Sequence, residues 1–204
     1  MAYRRSYRFK LNLLWVLIWI NILLFIAYVV DQRTIVTLFG LQPISFSAEP
    51  WTIITNIFVH GGFWHILTNM LTLYFLGTFL SRLVGWGKFA LIYFGGGILG
   101  NLFFIALTLL GAIYGISFLG SPFSVAVGAS GAIFAVGGAL AAMRPRVKVY
   151  VFPIPAPVPL WTAIIGGFII LTVVPGIAWQ AHLGGLVFGL IVGYIFKQRE
   201  RFTF

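Results

Sequence analysis

Six apolar runs divide this chain: Leu13–Val30, Trp64–Leu80, Phe89–Leu110, Val127–Met143, Leu160–Val174 and Gln180–Phe196. A helix needs about 20 mostly apolar residues to cross the hydrocarbon core of a bilayer, with a range of about 17 to 25. The fifth run reaches that range only with its flanking Pro159 and Pro175. Lipid cannot hydrogen-bond an open sheet edge, so runs of this kind form helices. The alternating pattern of a membrane β-barrel does not occur. Charged residues are only 8% of the chain, against about 25% in soluble domains. The expectation is an all-α membrane protein, a compact bundle of six transmembrane helices. The first run is too long for a cleavable signal, and no small-residue cleavage site follows Asp31.

Charge orients the bundle. The net charge is +10. Arg4, Arg5, Arg8 and Lys10 precede the first run, and Arg82 and Lys88 lie between the second and third. Arg144, Arg146 and Lys148 follow the fourth, and Lys197, Arg199 and Arg201 follow the sixth. In a six-span layout these twelve share one side, and only Arg33 falls on the other. The positive-inside rule makes that side, with both termini, cytoplasmic. The basic residues then face anionic headgroups, and nucleic acid is not an expected partner. Residues 1–12 read as a basic cytoplasmic tail, 13–196 as the membrane domain and 197–204 as a second basic tail. The chain has no cysteine, which excludes disulfide and thiolate chemistry.

Two links have character of their own. The stretch WTIITNIFVHGGFW, before the second run, is amphipathic and aromatic and is expected to lie in the outer interface. The stretch FPIPAPVPL, before the fifth, has prolines at alternate positions and reads as an extended, stiff spacer. The short link Pro175–Trp179 makes the last two helices antiparallel neighbours.

Polar residues inside a membrane are costly and point to function. Ser130 near the start of the fourth helix and His182 near the start of the sixth lie at matched depth below the outer boundary. His65 and Asn69, spaced i, i+4, share one face of the second helix at the same end. Asn21 and Asn101 read as helix–helix hydrogen bonds. Gly185 and Gly189 share the face of His182, and Gly131, Ala135 and Ala139 form a small-residue stripe near Ser130. Such stripes let backbones approach closely, as short-reach Ser and His side chains require.

A hydroxyl becomes a useful nucleophile when a base takes its proton, and His is the usual base. The acidic residues are Asp31, Glu49 and Glu200. None falls beside His182, so a dyad is expected rather than a triad. Phe134, at i+4 from Ser130, is placed to support the imidazole. His65, Asn69 and the Ser130 amide are suitable oxyanion donors. The G-x-S-x-G elbow fails at Ala132, and no H-E-x-x-H occurs. A metal held by His60, His65 and His182 is the weaker reading. Paired membrane charges of the kind transporters carry are absent.

The G-x-S-G at Gly128–Gly131, the A-H-x-x-G-x-x-x-G at Ala181–Gly189, the H-x-x-x-N at His65–Asn69 and the Glu-x-Trp at Glu49–Trp51 together resemble the rhomboid family of intramembrane serine proteases. The resemblance covers roughly residues 45 to 196. It implies Ser130 as nucleophile, His182 as base and then acid, and His65 and Asn69 as oxyanion donors. It also implies Phe134 stacked under His182, and Gly185 and Gly189 docking the sixth helix on the fourth. Neither cofactor nor metal is implied, and the substrates would be transmembrane segments of other proteins. Thr52, Ser81 and Phe134 depart from the family pattern, which often has Arg, an acidic residue and Tyr at those positions. A non-catalytic relative that binds and routes membrane proteins is the alternative. The compact plan points to a prokaryotic plasma membrane.

Overall fold

A computed structural model describes residues 12–151 and 153–201, with the side chains of 200 and 201 left aside. Arg4, Arg5, Arg8 and Lys10 lie outside the described residues. The described chain forms eight α-helices: α1 (Leu13–Val30), α2 (Gln32–Phe39), α3 (Thr52–Thr55), α4 (Phe63–Val84), α5 (Trp86–Tyr114), α6 (Ser130–Met143), α7 (Leu160–Thr172) and α8 (Trp179–Arg201). Helices α1, α4, α5 and α8 are long and apolar enough to cross a membrane. Helices α6 and α7 are apolar but shorter, with 14 and 13 residues, or about 20 Å of rise each. The chain is a multi-pass membrane protein built as a helical bundle.

Helix α6 is the centre. Eleven of its fourteen residues are buried, and α4, α5, α7 and α8 all pack against it. A helix enclosed on every side must be apolar all round, and α6 consists mostly of Gly, Ala and Val for that reason. Its closest neighbour is α8, which runs parallel to it. A Cβ on Gly185 would meet the Gly131 carbonyl, one on Gly189 the Ala135 carbonyl, and one on Gly193 the Ala139 carbonyl. Helix α5 crosses the pair in the opposite direction, with Gly96 against Ala135 and Gly100 against the Ala181 carbonyl. By contrast, Leu160 is the sole buried residue of α7.

Several boundaries differ from the sequence expectation. The fourth segment was expected from Val127, but Val127–Ala129 is non-helical and α6 begins at Ser130. Gly128 has φ +124°, outside helical space. Helix α8 runs to Arg201, so the tail expected from residue 197 starts inside a helix. Arg82 and Lys88 also lie within helices, since α4 and α5 are joined by Gly85 alone, at φ +82°. The proline-rich link is more than a spacer: Lys148–Val149 and Val158–Pro159 pair antiparallel as strands β1 and β2. Pro159, lacking an N–H, is tolerated at a sheet edge.

The stretch 51–64 is two-faced: Thr52, Asn56, Ile57, Val59 and His60 are buried in the bundle, while Trp51, Ile54, Phe63 and Trp64 are exposed. Of the two amides read as helix–helix links, Asn21 of α1 lies beside Tyr93 of α5. The Asn21 amide donates to the Leu17 carbonyl of its own helix (2.8 Å). Asn101 bonds to the link before α4, at Ile53 and Asn56.

One end of the bundle is basic. Lys88 lies over the Phe196 ring, 4.9 Å from its centroid, and Lys197 donates to the Ala142 carbonyl (3.0 Å). These contacts bring together the start of α5 and the ends of α6 and α8.

Candidate active site

The site begins with an irregular strand that enters the bundle ahead of Ser130. Leu41 and Ala126 exchange backbone hydrogen bonds (3.0 and 2.8 Å). The Gly128 N–H donates to the Asn56 carbonyl (2.9 Å). Non-helical backbone at membrane depth is tolerated where protein surrounds it, and these bonds satisfy it here. Gly128 is required twice. Its φ suits glycine, and a Cβ there would stand 2.7 Å from His65 Nε2 and 3.7 Å from Ser130 Oγ. Ser130 then opens α6, where first-turn N–H groups have no carbonyl partner within the helix.

His182 lies on the first turns of α8 and is buried. Its Nε2 is 2.7 Å from Ser130 Oγ. For the hydroxyl to donate, the imidazole proton must reside on Nδ1, and Nδ1 is buried without a hydrogen-bond partner among the described residues. Packing orients the ring instead. Phe134 lies 4.7 Å from it, centroid to centroid, tilted by 34° rather than stacked flat. Phe134 in turn meets Phe168 of α7 edge-on at 6.0 Å.

His65 comes to Gly128 from α4, half-buried, with its Nε2 against the Gly128 Cα. Asn69, one turn on, is buried and donates its amide to the His65 carbonyl (2.8 Å). Behind His65 stands His60, whose ring meets it edge-on at 4.9 Å. The His60 Nε2 faces the Ala129 N–H at a long 3.5 Å.

His60 lies in the link before α4, outside the spans. Burial first, and the neighbouring His65 second, push its pKa from 6.5 down to about 3. Between those values the unfolded chain binds a proton that the folded chain refuses. Stability is therefore complete above about pH 6.5 and declines as pH falls toward about 3. The melting midpoint of purified protein, followed by tryptophan fluorescence, is expected to drop across that window. His60→Gln is expected to flatten the drop; an unchanged slope would assign it to other groups.

The departures from the family pattern have local explanations. Thr52 is buried, and its hydroxyl donates to the Glu49 carbonyl (2.6 Å). Trp51 Nε1–H donates to the Leu38 carbonyl (2.9 Å) and the Thr55 hydroxyl to that of Phe39 (3.1 Å). Together these tie the link before α4 to the end of α2 without an arginine. Ser81 is buried and bonds within its own helix, to the Thr78 carbonyl (3.1 Å).

Sequence reasoning missed Asn56, Gly193 and Gln180. Gln180 is buried and donates to the Leu119 carbonyl (2.9 Å), tying the α5–α6 link to the start of α8. Gly193 continues the spacing of Gly185 and Gly189 and was legible as a third member of that stripe. A cleft of about 550 Å³ separates the α5–α6 link from the α7–α8 link. It shares Ala178 with a cavity of about 20 Å³ beside Ser130.

The fold and site thus define a helical membrane protein with a part-buried Ser–His pair, Ser130 at the start of its central helix and His182 near the start of α8. Comparison with known proteins gives the family. The rhomboid domain model matches residues 47–199, and the chain belongs to the rhomboid family. It is 33% identical over 162 residues to rhomboid protein 1, mitochondrial, of Saccharomyces cerevisiae, covering 74% of this chain and 44% of that protein. It is 31% identical over 161 residues to RHOMBOID-like protein 1 of Arabidopsis thaliana, covering 76% and 37%. It is 40% identical over 92 residues to rhomboid protease GluP of Bacillus subtilis, covering 45% and 15%. The chain spans less than half the length of these relatives. They come from a yeast, a plant and a bacterium, so they do not support the expected prokaryotic membrane over another.

Proposed function

We propose that this protein is an intramembrane serine endopeptidase that cleaves transmembrane segments of other proteins. The observation that carries the reading is the 2.7 Å approach of Ser130 Oγ to His182 Nε2. Ser130 Oγ attacks the scissile carbonyl while its proton passes to His182 Nε2. The carbonyl oxygen becomes an oxyanion, stabilised by His65, Asn69 and the Ser130 N–H. On collapse the peptide C–N bond breaks, and His182 returns the proton to the leaving amine. Water then hydrolyses the acyl-enzyme by the same base and acid steps.

Six spans with both termini cytoplasmic fit the bundle, with α6 and α7 as short crossings. The basic end then faces anionic headgroups. The cleft between the α5–α6 and α7–α8 links, which shares Ala178 with the small cavity that Ser130 lines, has room for an unwound peptide. Phe134 holds the imidazole, and Gly185 and Gly189 bring α8 onto α6. The non-catalytic alternative gains nothing from a site that keeps both Ser and His within hydrogen-bond distance.

A fluorophosphonate probe is expected to label purified protein at Ser130, identified by peptide mass spectrometry. A label on another serine would move the site. Asn69→Ala is expected to lower kcat on a transmembrane reporter by about 10²-fold, as for other oxyanion donors. Unchanged kcat in a folded Asn69→Ala protein would remove Asn69 from the oxyanion set.

A further inference from the structure

We propose that Asn101 is a positioning residue of this site, acting on the nucleophile through Asn56 and Gly128. The inference rests on Ser130 being the nucleophile. Asn101 lies in α5 and Asn56 in the link before α4, and both are buried. Their side chains form a reciprocal pair. The Asn56 amide donates to Asn101 Oδ1 (3.0 Å), and the Asn101 amide donates to Asn56 Oδ1 (2.8 Å). The second amide hydrogen of Asn101 goes to the Ile53 carbonyl (2.7 Å). Three hydrogen bonds in an apolar interior thus hold the turn 53–56 against a long helix.

That turn continues to the site. The Asn56 carbonyl accepts the Gly128 N–H (2.9 Å), two residues before Ser130. Gly128 forms the floor between His65 Nε2 and Ser130 Oγ, so its orientation sets where the Ser130 hydroxyl and N–H point. Asn56, Asn101, Gly128 and Ser130 all line the cavity of about 20 Å³. That space leaves room for the turn to shift once its clasp is lost. Asn101 does not touch the Ser–His pair itself. A displacement of about 1 Å in reacting groups is enough to cost about 10²-fold in rate.

The test uses Asn56→Ala, Asn101→Ala and the double variant, with the purified full chain and a transmembrane reporter. Three quantities are read well below the melting midpoint: kcat, KM and the rate of Ser130 labelling by fluorophosphonate. Each single variant is expected to lower kcat and labelling about 10- to 100-fold, with KM changed less than about twofold. The double variant is expected to lose no more than the worse single one, because the pair acts as a unit. A lower melting midpoint with kcat and labelling at wild-type values would make the pair a packing contact and overturn the proposal.

If Asn101→Ala does not fold, Asn101→Asp keeps the shape. Its ionised carboxylate can accept from Asn56 but donates nothing to Ile53 or Asn56. Its labelling rate is expected to fall below wild type, further wherever the carboxyl ionises, and a wild-type rate at every pH would overturn the proposal. Wild-type protein that is not labelled at Ser130 would instead sink the protease reading itself.

Discussion

Ser130→Ala and His182→Ala are each expected to lower cleavage of a transmembrane reporter by about 10⁴-fold or more while leaving the melting midpoint near wild type. The size follows from the geometry. Ser130 Oγ and His182 Nε2 share one hydrogen bond at 2.7 Å, so the hydroxyl without its base, or the base without its hydroxyl, has nothing to do. Residues that act as such a unit are strongly non-additive. The double variant should therefore be no slower than either single one. Ser130 is only half-buried, and its loss removes one oxygen, so folding should survive. Activity within tenfold of wild type in either folded variant would eliminate the dyad. A double variant whose loss equals the product of the two single losses would show two independent contributions in place of one.

Gly189→Ala is expected to lower the melting midpoint by about 2–12 °C, from an overpacking cost of about 1–3 kcal/mol, and to depress cleavage with it. The added Cβ would meet the carbonyl, C and Cα of Ala135, and backbone cannot rotate aside as a side chain does. Helices α6 and α8 must then separate, and they are the two helices that carry Ser130 and His182. Gly166→Ala is the matched control. Gly166 is on α7, and no atom lies within 4 Å of its Cβ position. That change is expected to be neutral or stabilising by up to about 1 kcal/mol, because alanine loses less freedom in a helix. Equal midpoints for the two variants would show that the α6–α8 contact is looser than its geometry.

Much of this site was legible before any coordinates. Ser130 and His182 stood out because polar residues are rare in such runs, and equal counting from the helix starts placed them at one depth. The Gly185–Gly189 spacing matched the Gly131–Ala135 spacing because parallel helices in close contact repeat every four residues. Hydropathy also placed all six apolar segments. It could not show that α6 starts at Ser130, because Val127, Gly128 and Ala129 are as apolar as the helix that follows. That boundary is set by Leu41 and Asn56, whose backbone groups pull the strand away from helical geometry.

The chain alone thus determined the membrane class, the helices and the candidate polar side chains, since local composition and spacing carry each of these. Tertiary structure alone decided which partners those side chains meet. Asn101 reads along the chain as a helix–helix hydrogen bond with no partner named; folding brings it to Asn56 in the link before α4, 45 positions away, and through that residue to Gly128. Buried polar groups in an apolar interior must find partners. Which partner each finds depends on how distant segments come together, and no local pattern records that.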